Sequence, residues 1–249
     1  MRFRDEKTPR LLVSVRNGAE AVLAAQAGVD LIDFKEPSDG ALGPVAPQVL
    51  QQACRELSQV NPAAHITLAC GEVIDAANFL PRTASGVCWL KLGLARLGQV
   101  SDWREQWRHA RTRILQAVQG SEPGWMGVAY VDAEAAGAPP VDEIVAAVLA
   151  GDCDGVLFDT CSKQSGRLPD FLPFDRLERL AAKLKAAGRV VAVAGRLRGE
   201  DLPALLQMPV DVVAIRSAAC LGNARNQALC QTTLQEFQSQ LRQLAAGRV

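Results

Sequence analysis

Leu31-Ile32-Asp33-Phe34-Lys35-Glu36-Pro37 is the stretch on which the fold turns. Apolar Ile32 and Phe34 alternate with charged Asp33 and Lys35 just before a proline. In an extended strand, residues two apart point the same way. One face of this strand therefore carries Ile32 and Phe34, and the other carries Asp33 and Lys35. A strand whose apolar face meets helices, and whose other face opens into a polar mouth at its C-terminal end, reads in this way.

Working outward, short runs rich in Val, Ile, Leu and Ala recur at 11–15, 31–35, 65–70, 87–92, 125–131, 155–160, 190–194 and 210–216. Near-continuous apolarity marks strands buried on both faces. Helical spacing fills the intervals 19–27, 45–59, 102–119, 141–150, 175–187, 201–207 and 226–246. Asn17 is a natural N-cap for the first, and Gly188 a natural C-cap after 187. The interval 72–84 is the weakest helix, because Pro81 must end or bend it. Parallel strands need right-handed crossovers. An open doubly wound sheet rarely holds eight such units in 249 residues, whereas a closed (β/α)8 TIM barrel does so routinely. No linker or composition break divides the chain, so a single α/β barrel domain over 1–249 is expected.

Composition narrows the function classes. Apolar residues at 49% supply a large core and argue against disorder. Lys and Arg number 27, as do Asp and Glu, which excludes the basic surplus that nucleic acid or an anionic membrane requires. Apolar runs such as 144–150 fall far short of the roughly 20 residues of a membrane span. The opening Met1-Arg2-Phe3-Arg4-Asp5-Glu6-Lys7 has no apolar signal region, so a cytoplasmic location is expected. Seven cysteines with no Cys-x-x-Cys fit free thiols in a reducing compartment. Only His65 and His109 are present, which excludes a His-rich metal site. No metal and no cofactor are expected.

In a (β/α)8 barrel the chemistry sits at the C-terminal strand ends. Strand 2 brings Asp33 and Lys35, strand 4 brings Lys91, and strand 6 ends at Asp159 with Cys161 and Lys163 beyond it. Lysine is almost never buried unpaired. Lys35 and Lys91, embedded in strand sequence, therefore read as functional rather than as a structural pair. Asp132 reads as a helix cap, and Arg196 and Lys163 are open to being solvated loop residues. Glu72 is either an active-site group or a helix-start carboxylate. His65, His109 and the cysteines read as structural.

Lysines and carboxylates in one mouth suggest amine chemistry. A lysine with a lowered pKa attacks a carbonyl, and the protonated imine then acts as an electron sink. Asp33 pulls Lys35 the other way by favouring ammonium. Neighbouring groups would move the protons of aldol and dehydration steps. After strands 7 and 8, Gly195, Arg216 and the small-residue start Ser217-Ala218-Ala219 form a candidate phosphate site.

The segments Leu11-Leu12-Val13-Ser14-Val15, Gly28-Val29-Asp30-Leu31-Ile32-Asp33-Phe34-Lys35-Glu36-Pro37, Gly40-Ala41-Leu42-Gly43, Lys91-Leu92-Gly93-Leu94, Leu157-Phe158-Asp159-Thr160, Ala194-Gly195 and Arg216-Ser217-Ala218-Ala219-Cys220 run in order through the chain. Together they resemble the (5-formylfuran-3-yl)methyl phosphate synthases. The resemblance implies a metal-free barrel that condenses two glyceraldehyde 3-phosphates into the furan, with loss of phosphate and water. The product would feed methanofuran, or a methanofuran-like C1 carrier in methylotrophic bacteria. It places the Schiff-base lysine on Lys35, with Asp33, Lys91, Asp159 and Lys163 as the other functional side chains. Leu221 stands where the family often has a lysine. A triose phosphate is thus the expected partner, and a homo-oligomer the expected assembly. The alternatives are another Schiff-base aldolase on a sugar phosphate and a catalytically silent barrel that binds a phosphorylated metabolite. Loss of the Lys91 charge is expected to leave the fold intact.

Overall fold

In the computed structural model, which describes residues 8–78, 86–118, 122–162 and 166–247, the strands β1 (Arg10–Val15), β2 (Leu31–Phe34), β3 (Ile66–Glu72), β4 (Val87–Gly93), β5 (Gly124–Tyr130), β6 (Gly155–Asp159), β7 (Val190–Val193) and β8 (Val212–Ile215) pair in sequence order. Each pairing is parallel, and β8 returns to β1 to close the barrel. The expected (β/α)8 architecture is the one observed. No helix among the described residues is long and apolar enough to cross a membrane.

Around the strands run α1 (Gly18–Gln26), α2 (Pro47–Val60), α3 (Trp103–Ala117), α4 (Ala133–Ala136), α5 (Val141–Leu149), α6 (Leu168–Phe171), α7 (Phe174–Ala186), α8 (Leu202–Leu206) and α9 (Gln231–Ala246). Asn17 caps α1 as expected, its side chain accepting from Glu20 N at 3.0 Å. Gly188 follows α7 with a positive φ of 70°, the left-handed position that favours glycine.

The alternation read in β2 holds around the barrel. Ile32 and Phe34 join the large cluster between strands and helices. Leu31 joins a second cluster that fills the barrel interior with Leu12, Trp89, Met126, Tyr130 and Leu157. The inward residues on the β7–β8 side include Ala192 of β7, Ala194 just after it and Ala214 of β8. Small side chains on that flank leave room at the mouth, while aromatic and long residues fill β4 to β6.

Most boundaries fall within one or two residues of the sequence reading, and the larger differences lie in the loops and at the ends of β3, β8 and α9. β3 runs on to Glu72, and 3-10 turns over Val73–Asn78 follow it in place of an α-helix; residues 79–84 of that expected helix lie outside the described residues. β8 is shorter than 210–216, starting at Val212 and ending before Arg216. Short helices α4 and α6 occupy the loops after β5 and β6. α9 starts at Gln231 rather than at 226, because the carbonyls of 225–227 are taken by arginine side chains and Leu229 bridges Cys220.

Candidate active site

The site starts from strand register. Ser14 of β1, Asp33 of β2 and Thr67 of β3 are direct neighbours across two parallel pairings. Their side chains all point inward and meet. Ser14 Oγ donates to Asp33 Oδ2 at 3.1 Å, and Thr67 Oγ1 donates to Asp33 Oδ1 at 2.7 Å. Lys91 reaches in from β4, pairs with the same Asp33 oxygen, and donates to Thr67 Oγ1 at 2.8 Å. Asp33 is 2% exposed and Lys91 3%. A buried ion pair is tolerated only when its remaining polar positions are hydrogen bonded. The two hydroxyls do that here: Ser14 and Thr67 both donate to Asp33, and Thr67 also accepts from Lys91.

Lys35 stands one inward step above Asp33 on the same face. Its backbone N–H donates to Val15 O at 2.9 Å, which carries the β2 geometry one residue past the strand. Its Nζ lies 3.8 Å from Asp159 Oδ2 at the end of β6. That distance is an electrostatic contact rather than a hydrogen bond. Asp159 is buried, and its Oδ1 accepts from Thr160 N at 2.7 Å. One cavity at the mouth is lined by Asp33, Lys35, Lys91 and Asp159, joined by Arg196 and Arg225. Four of the five side chains expected to do chemistry are thus brought together. The fifth, Lys163, lies outside the described residues.

On the β7–β8 flank, Gly195 has φ +98°, and a Cβ there would press within 3.0 Å of Leu168 Cβ and 3.2 Å of Thr160 Cγ2. Only glycine lets the chain turn at that point. Ser217–Ala219 form a single 3-10 turn. The N–H groups of Ser217 and Ala218 head that turn, where no intrahelical acceptor exists.

Arg216 corrects the sequence reading. Its Nε donates to Arg225 O at 2.9 Å, Nη1 to Ser14 O at 3.0 Å and Glu20 Oε2 at 2.6 Å, and Nη2 to Glu20 Oε1 at 3.1 Å and Gln227 O at 2.8 Å. All five N–H bonds of the guanidinium are taken. Arg216 therefore braces β8 against β1 and α1 and has no N–H to offer an anion. Burial alone would raise the Glu20 pKa, but its hydrogen bonds from Arg216 and Arg16 outweigh this and hold the carboxyl below its ordinary value of 4.5.

Two other carboxylates depart from expectation. Asp132 precedes α4 but makes no cap hydrogen bond there. It accepts instead from Cys161 N at 2.7 Å and Ser162 N at 2.8 Å, tying the loop after β6 to the end of β5. Glu72 is neither a helix-start group nor part of the lysine cluster. It accepts from Tyr130 Oη at 2.6 Å and Ala95 N at 2.8 Å, and its carboxylate occupies the space a side chain on Gly93 would fill. Burial raises its pKa. Among the described residues no group of three or more His, Cys, Asp or Glu side chains is placed to hold a metal ion.

Sequence reasoning missed Ser14, Thr67, Glu20 and Arg225. Ser14 and Thr67 were detectable as polar residues interrupting apolar runs, but their partners depend on strand register. The pairing of Glu20 with Arg216 and of Arg225 with Pro37 and Gly40 joins residues about 185 or more positions apart, so it depends on closure of the barrel.

The model of the 4-HFC-P synthase family matches residues 11–238. The (5-formylfuran-3-yl)methyl phosphate synthase of Methanopyrus kandleri is 29% identical over 91% of this chain and 95% of its own length. The enzyme of that name from Methanococcus maripaludis strain S2 is 30% identical over 90% of this chain and 95% of its own length. Among solved structures, phosphoribosylanthranilate isomerase from Thermotoga maritima superposes with a TM-score of 0.56 at 14% identity, covering 94% of this chain and 99% of that one. KGPDC from Streptococcus mutans gives 0.54 at 15% identity, covering 95% and 99%. Those two likenesses describe the barrel alone. The family match spans every strand from β1 to β8, and the chain belongs to the 4-HFC-P synthase family of enzymes.

Proposed function

We infer that the chain condenses two molecules of glyceraldehyde 3-phosphate into (5-formylfuran-3-yl)methyl phosphate, releasing inorganic phosphate and two molecules of water, as a carbon–oxygen lyase of class I aldolase type. The observation that carries this reading is the meeting of two lysines and two aspartates from β2, β4 and β6 in one cavity of a family member. The two lysines differ in their setting. Lys91 is held in contact with Asp33 and Thr67. Lys35 faces Asp159 at a longer distance, at the mouth.

In this reading Lys35 Nζ adds to the aldehyde carbon of the first triose phosphate and expels its oxygen as water, forming an imine. The protonated imine withdraws electrons, so a proton leaves the adjacent carbon and an enamine forms. Asp159, beside Lys35, is placed to take and return that proton. The enamine carbon then attacks the aldehyde of the second molecule. Asp33 and Lys91 supply a fixed negative–positive pair for the later proton transfers. Lys163, four residues after Asp159, is assigned as an acid, a base or a phosphate contact. Gly195, Ser217 and Ala218 bring backbone N–H groups to the phosphate flank. The downstream use is synthesis of a methanofuran-type C1 carrier.

Incubation with glyceraldehyde 3-phosphate alone tests the reading. Furan absorbance and free phosphate are expected to rise together. Product formed from dihydroxyacetone phosphate alone, or phosphate release without a furan, would assign another substrate.

A further inference from the structure

Three arginines from the loops after β7 and β8 line the mouth cavity: Arg196, Arg216 and Arg225. They differ in what their guanidinium groups already hold. Arg216 is saturated by Glu20 and three carbonyls. Arg225 uses only Nη2, which donates to Pro37 O at 2.9 Å and Gly40 O at 3.0 Å. Its Nε and Nη1 have no hydrogen-bond partner among the described residues, and no carboxylate pairs with it there. Three of its five N–H bonds are therefore uncommitted, on a side chain that is half-buried against the cavity holding Lys35.

The backbone beneath Arg225 is built to stay in place. Arg216 holds the carbonyls of Arg225 and Gln227, and Arg16 Nη1 holds that of Asn226 at 3.0 Å. The Nη2 contacts then anchor the guanidinium to the loop that follows Lys35. The strap after β8 is thus tied to the loop after β2, with a cation on the tie. Burial lowers the Arg225 pKa, and Asp159 and Glu36 draw it back up while Arg216 opposes them. It remains a guanidinium at any working pH.

We propose that Arg225 is the side chain that binds the phosphate of the triose phosphate whose carbonyl meets Lys35, with Arg196 lining the same cavity as its companion. Arg196 supports this, because it makes no hydrogen bond or ion pair among the described residues and is held at φ +56°. Arginine donors suit a tetrahedral dianion. The identity of the phosphorylated ligand rests on the function proposed above; the cation's placement does not.

The test uses glycerol 3-phosphate, which carries the phosphate but no carbonyl, and titration calorimetry on the full chain. Arg225→Gln is expected to weaken its binding roughly ten- to a hundredfold, the size of a lost charge-assisted contact. Arg225→Lys should recover part of that loss. In turnover, KM should rise more than kcat falls. Glycerol 3-phosphate binding that is unchanged in Arg225→Gln overturns the proposal. So does an equal slowing of borohydride trapping with glyceraldehyde and with its 3-phosphate, which would make Arg225 a structural tie only. If the wild type binds glycerol 3-phosphate more tightly than Arg225→Gln yet yields no borohydride adduct with either aldehyde, the phosphate assignment stands and the Schiff-base reading falls.

Discussion

The barrel mouth carries two lysine–aspartate pairs made of the same chemical parts in different states. Asp33 and Lys91 lie deep, in contact, with Ser14 and Thr67 completing their hydrogen bonds. Lys35 and Asp159 lie higher, 3.8 Å apart. The first pair is a fixed dipole that the fold cannot lose cheaply. The second is an electrostatic contact, too long for a direct hydrogen bond between amine and carboxylate. Sharing a residue type, therefore, does not make two lysines interchangeable; the hydroxyls of Ser14 and Thr67 complete the contacts of one pair, and the other pair stands further apart.

The largest expected effect separates the pairs directly. Lys35→Arg keeps the charge but removes the nucleophile, since guanidinium is not one near neutral pH. Turnover should fall by more than about a thousandfold, as when other covalent nucleophiles are removed, with the melting curve little changed. Borohydride with glyceraldehyde 3-phosphate should label the Lys35 peptide of the wild type. A label on Lys91, or an active Lys35→Arg enzyme, would reverse the roles of the two pairs.

Lys91 is next, and here the structure changes the expectation from sequence. Lys91→Met leaves Asp33 buried without its cation, which costs about 3–5 kcal/mol. Denaturant unfolding should show that loss, and Asp33→Asn in the same chain should restore most of it without restoring activity. If Lys91→Met melts like the wild type, the deep pair is not the fixed one.

A finer probe is the hydroxyl that joins both members of the deep pair. Thr67→Val keeps the shape but removes the donor to Asp33 and the acceptor for Lys91. A destabilisation of about 1–3 kcal/mol is expected for the polar groups left unpaired, with kcat reduced more than KM is raised. Thr67→Ser should stay near wild type in both. Equal behaviour of Val and Ser variants would mean that packing alone, and not the hydroxyl, sets the pair.

The smallest effect concerns the brace behind Ser14. Glu20 has a folded pKa below its ordinary value of 4.5 because Arg216 and Arg16 bond it against the upward pull of burial. Above about pH 4.5 the unfolded chain has also lost this proton, and the full stabilisation is present. It declines as pH falls from there through the lower folded pKa, where the folded state must take up the proton too. Thermal melts of Glu20→Gln against wild type should therefore show a shallower acid limb below pH 4.5. Parallel acid limbs would remove Glu20 from the support of the site.

Much of this was legible in the chain itself. Eight apolar runs separated by helical intervals left one economical closure, and the alternation in Leu31-Ile32-Asp33-Phe34-Lys35 correctly sent Asp33 and Lys35 inward. Period-two geometry is local, so sequence reports it well. Helix ends fixed by side-chain chemistry, such as Asn17 and Gly188, were equally visible. The start of α9 was not, because the 225–227 carbonyls are claimed by Arg16 and Arg216 from far away in the chain.

Sequence by itself determined the barrel, the level of the chemistry at the strand ends, and the residue types available there. Tertiary structure alone decided who pairs with whom. Asp33 and Lys91 are 58 positions apart, and Lys35 and Asp159 come from strands that are not neighbours in the barrel. It also decided that Arg216 is spent as a brace while Arg225 keeps donors at the mouth. Strand direction follows from residues two apart, but partnership follows from register, closure and burial across the whole ring. Those are properties of the closed sheet and not of any segment within it.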